Sequence, residues 1–120
     1  MNYVLNFAYP EKLNRYPYED CGRNDLKAKL KSKLAKLLEE KYDIAVESFT
    51  IRFKGRADND LGPNSDWVKI KLISSNADDI KLKRFCDDVL NGSNEASDLF
   101  TSIYTPQDSL KVREYFFEEL

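Results

Sequence analysis

A chain of 120 residues has room for one domain, spanning 1–120, and a domain of this size buries roughly two-thirds of the surface its unfolded chain exposes. Its 19 Lys and Arg oppose 21 Asp and Glu unevenly: residues 1–56 carry a net charge of +4 and residues 57–120 a net of −6. There is no histidine, which removes the usual base near neutral pH, the usual partner of a nucleophilic Ser or Cys and the commonest metal ligand, so most enzyme classes weaken at once.

In chain order, Tyr3, Leu5, Phe7 and Tyr9 alternate with Val4, Asn6 and Ala8, the period of a strand that Pro10 ends. Residues 10–24 form a loop with two prolines and the aromatics Tyr16 and Tyr18. The run from Asp25 to Tyr42 is the longest helix signal. Leu26, Leu30, Leu34, Leu37 and Leu38 form one stripe, and Lys29, Lys33 and Lys36 stack along a flank.

Ser48 to Lys54 alternates, with Phe49, Ile51 and Phe53 on one face. Trp67 to Ile73 does the same with Val68, Ile70 and Leu72, so the two runs read as an antiparallel pair. Between them, residues 55–66 are turn chemistry. A second helix over 77–91 presents Leu82, Phe85, Cys86, Val89 and Leu90, with Ile80 off the stripe and Gly92 as terminator. Residues 93–97 read as a linker, and Leu99, Phe100, Ile103 and Tyr104 as a short third helix. Thr105-Pro106-Gln107-Asp108 resembles a helix start, which predicts a last helix to Leu120. Leu110 to Arg113, however, also alternates as a short strand would.

The expected fold is α+β, in β-α-β-β-α order with C-terminal helices, its small antiparallel or mixed sheet covered by helices on one face. A strand in the last segment would turn the order into that of a ferredoxin-like sandwich. Cys21 and Cys86 belong to no CxxC pair, no apolar run is long enough for a membrane span, and MNYVLNFAYP lacks the pattern of a signal peptide. These features point to a cytoplasmic protein with no membrane partner.

Among chemistry-bearing residues, Asp58, Asp60 and Asp66 faintly follow a calcium loop. Pro63 stands where that loop needs glycine and Lys69 where it needs glutamate, so no metal and no cofactor is expected. Cys86, on an apolar stripe, reads as a core residue. Arg52, Lys54, Lys69 and Lys71 share the strand face opposite the apolar one, with Trp67 beside them and Arg56 just beyond. Such a face can neutralise phosphates and stack a base, although neither strand carries the aromatic-rich signature of an RNA-recognition motif. Asp87, Asp88, Glu95, Asp98, Glu114, Glu118 and Glu119 make the C-terminal third strongly acidic, a surface that can imitate a phosphate backbone. Tyr16 and Tyr18 add interface anchors.

As a compact acidic chain without catalytic residues, bearing the cluster Asp87, Asp88, Glu95 and Asp98 and a terminal Glu118-Glu119, the protein resembles in general character the small inhibitors that phages and mobile elements encode against host defence, such as anti-CRISPR proteins. The resemblance implies an inhibitor of a nuclease or its nucleic-acid channel, acting in the host cytoplasm. It transfers no residue roles. The preferred expectation is thus a non-enzymatic protein-binding module whose acidic surface meets a basic, nucleic-acid-handling partner. The first alternative is single-stranded nucleic-acid binding through the basic strand face; the second is a small enzyme using carboxylate or cysteine chemistry.

Overall fold

A computed structural model of the protein describes residues 1–9, 23–54, 67–92, 94–101 and 111–120, with the backbone alone for 23–27, 53, 54 and 67. The elements are β1 (Asn2–Ala8), α1 (Arg23–Tyr42), β2 (Ser48–Lys54), β3 (Trp67–Ile73), α2 (Asp79–Asn91), α3 (Glu95–Thr101) and β4 (Glu114–Glu119). All four strands join one antiparallel sheet in the order β2-β3-β1-β4, so the fold is α+β as expected. With β4 present the order is that of a ferredoxin-like sandwich, with α3 added before the last strand.

The core forms where the apolar stripes meet one face of the sheet. Leu30, Leu34, Leu37 and Leu38 of α1, and Leu82, Phe85, Cys86 and Val89 of α2, are buried with Tyr3, Leu5, Phe7, Phe49, Ile51, Val68, Ile70 and Leu72. At its centre Phe85 stands edge-on to Phe7, with ring centroids 6.1 Å apart, and to Tyr42, at 5.3 Å, while Phe100 of α3 lies 4.6 Å from Phe7. Offset and edge-to-face rings add to plain burial because their quadrupoles attract in those orientations. Among the described residues, no helix is long and apolar enough to cross a membrane.

Local chemistry sets the helix ends. Asp43 closes α1 in the left-handed region at φ 55, a conformation that Asp tolerates better than most side chains. Asn76 Nδ2 and Lys81 Nζ both donate to the Asp43 carbonyl, at 2.9 Å each, pinning this turn to the start of α2. Asp78 caps α2 by accepting from the Lys81 N–H at 2.8 Å, and Gly92 ends it at φ 76. Asp78→Ala is expected to lower stability by about 1 kcal/mol, read as a shift in the urea midpoint at unchanged slope.

Three expectations are corrected. Residues 95–97 belong to α3 and not to a linker, because the Asn94 side chain accepts from the Ser97 N–H at 2.9 Å and starts the helix early. The last segment is a strand and not a helix: β4 pairs with β1 from Tyr3↔Glu119 to Ala8↔Glu114. The alternation of Glu114, Phe116 and Glu118 against Tyr115 and Phe117 suits a strand with one covered face, and aromatics favour pleated surfaces. Arg23 and Asn24, expected in the loop, open α1 instead, while residues 10–22 and 55–66, the third-helix residues Ile103 and Tyr104 and the Thr105-Pro106 helix start lie outside the described residues.

Candidate functional site

The helices among the described residues pack on the sheet face that carries the core, and none of them covers the opposite face, called open below. The pairing registers set its side chains in rows. One row reads Thr50, Lys71, Val4, Glu118, and the next reads Arg52, Lys69, Asn6, Phe116. A third row is Lys54, Trp67, Ala8, Glu114, where the side chains of Lys54 and Trp67, and the whole of Arg56, lie outside the described residues.

Charge changes sign across this face. Arg52 and Lys71 are exposed and Lys69 half-buried on the β2–β3 side; Asn6, Val4 and Ala8 form a neutral strip; and Glu114 and Glu118 stand exposed on β4. Val4 is only 7% exposed although it faces the open side, consistent with its register neighbours Lys71 and Glu118 being long enough to lay aliphatic stems over it. Between the two glutamates Phe116 is 61% exposed, and Ile73 and Leu120 are exposed toward one end of the sheet.

The acidic residues expected to form one surface are divided among four places. Asp87 and Asp88 on α2 are half-buried and engaged inside the molecule. Asp87 accepts from the Tyr115 hydroxyl and from Lys83 Nζ at 3.0 Å, and Asp88 accepts from the Tyr42 hydroxyl. These bonds tie β4 and α1 to the same helix. Glu95 and Asp98 line a groove of about 770 Å³ between α1 and α3, facing Lys33, Lys36 and Lys41, so their field is locally offset. Glu114 and Glu118 are on the open sheet face, and Glu119 is paired with Tyr3 on the helix side. Tyr16 and Tyr18 lie outside the described residues.

Titration follows from these contacts. The Tyr115 hydroxyl and then Lys83 hold the Asp87 carboxyl below its ordinary range, while Asp87 and burial push Tyr115 up to about 12. Burial and Asp88 push Tyr42 up as well. A depressed carboxylate stabilises the fold above its unfolded pKa and loses that contribution as pH falls through the folded value. A raised tyrosine stabilises below its unfolded value, 10.0, and loses that as pH climbs toward about 12. Tyr115→Phe should therefore flatten both limbs: its stability deficit against the parent, read from urea midpoints, is largest near pH 7 and shrinks as pH falls through the depressed Asp87 value and as it rises from 10.0 toward about 12.

The described residues hold no group of three or more His, Cys, Asp or Glu able to bind a metal. Cys86 is fully buried, and burial raises its thiol far out of the reactive range. Asp58, Asp60, Asp66 and Cys21 lie outside the described residues.

Sequence reasoning missed Phe116 as a functional candidate because a helix through the C-terminal segment would have carried it into the core beside Phe117. The period-2 pattern of EYFFEE was the signal that could have found it. Compared with protein-family models, curated proteins and solved structures, the chain matches none of them.

Proposed function

We propose that the protein is a binding module that holds a single-stranded nucleic acid across the open face of its sheet. What supports this reading is one row of the register: Arg52, Lys69, Asn6 and Phe116 run from a basic edge to an exposed ring, on a face that no helix among the described residues covers. Strand spacing puts Lys69 and Phe116 about 10 Å apart at the backbone. That distance suits a nucleotide whose phosphate meets the cations while its base lies on the ring. Titration of short labelled RNA and DNA oligonucleotides at low salt tests it. With three cations engaged, log affinity should fall against log salt with a slope of about −2. No binding at low salt overturns the reading.

A second reading, an inhibitor that engages a basic nucleic-acid-handling protein, is favoured by Phe116 standing between Glu114 and Glu118, an aromatic anchor with an acidic rim. Joint replacement of Glu114 and Glu118 by lysine separates the two. Oligonucleotide affinity rises under the first reading, whereas capture of a basic protein partner is lost under the second.

A further inference from the structure

On the nucleic-acid reading of the open face, its two carboxylates weaken phosphate binding unless they do something there. Charged residues on an edge strand discourage pairing with another chain, which is reason enough for glutamate on β4. It does not explain why a large aromatic stands 61% exposed between them, on the same face as Arg52 and Lys69.

Glu114 and Glu118 each lie two residues from Phe116 on the same face, about 7 Å away along the strand. A base stacked on the ring would present its edge to one or other of them. An ionised carboxylate only accepts hydrogen bonds, so it rewards donors and repels acceptors. Guanine carries N1–H and the N2 amino group side by side, two donors that match the two oxygens of one carboxylate. Adenine and cytosine each offer one amino group next to a ring acceptor. Uracil and thymine offer a single N3–H between two carbonyl oxygens, the poorest match.

We infer that the Phe116 position is a base-selective subsite, with Glu114 or Glu118 reading donor groups on the stacked base, so that guanine is preferred and uracil or thymine disfavoured. The inference rests on the nucleic-acid reading of the open face. Phe116 supplies stacking, the basic strands hold the backbone, and the glutamates turn a sequence-tolerant surface into a discriminating one.

The test uses short uridine-based oligonucleotides carrying one central guanosine, adenosine or cytidine, titrated by fluorescence anisotropy against all-uridine. The guanosine oligonucleotide is expected to bind about tenfold tighter, since a good bidentate pair is worth a factor of that order. Glu114→Gln and Glu118→Gln keep side-chain length and supply an amide donor. One of them should collapse the preference mainly by improving uridine binding. Equal affinity for all four oligonucleotides, with both variants tightening every one alike, overturns the subsite and leaves the nucleic-acid reading standing. Absence of binding to any of them overturns both.

Discussion

Phe85→Ala is expected to bring the protein to the edge of unfolding. Phe85 is fully buried on α2, and its ring is in edge or tilted contact with Phe7 of β1, Tyr42 of α1 and Phe100 of α3, so one side chain joins the central strand to all three helices. Removing a buried phenylalanine costs about 3–5 kcal/mol, because the lost transfer energy is compounded by the cavity left behind. Whole domains are stable by only about 5–15 kcal/mol, so the loss is a large share of the total. Urea melts followed by circular dichroism should show a midpoint roughly halved or lower. Phe85→Leu, which keeps most of the volume, should cost much less. A change under about 1 kcal/mol for the alanine variant would mean that α2 is not seated as described.

The second large effect is on binding. Replacing both Arg52 and Lys71 by glutamate reverses two exposed cations on the open face while leaving the covered face untouched. Affinity for a single-stranded oligonucleotide at low salt should fall by about a hundredfold or more, and the salt slope should become shallower, because fewer counterions are released. Stability should fall by no more than about 1 kcal/mol, a cost confined to the cover that the Lys71 stem gives Val4. Undiminished affinity in this variant would place any nucleic-acid site elsewhere on the molecule.

How far these features were legible in the sequence depends on the range of the interaction that decides them. Leu30, Leu34, Leu37 and Leu38 of the α1 stripe, the β2–β3 pair and the stop at Gly92 were readable because periodicity and capping are local, and each lies where the pattern put it. Ile80, off the α2 stripe, is indeed exposed. The fate of Glu114–Glu119 was not local. Its aromatics suit a strand, but the ladder it joins is the edge of β1, and β1 is more than a hundred residues away in sequence. Asp87 and Asp88 misled for a related reason. As neighbours on a helix they point in directions about 100° apart, one to a tyrosine 28 residues downstream and the other to a tyrosine 46 residues upstream. Composition shows two acids and cannot show that each is the acceptor of an internal hydroxyl.

The place of β1 in the sheet also constrains how the chain reaches its native state. β1 precedes both of its sheet neighbours in the chain, yet it lies between β3 and β4: Leu5 pairs with Ile70 on one side and Phe117 on the other. Tyr3, Leu5 and Phe7, all buried in the finished sheet, therefore depend on partners far along the chain on both flanks. Closing such long loops makes folding slow compared with a helical bundle of the same size, and an unpaired β1 is exposed to aggregation until they close.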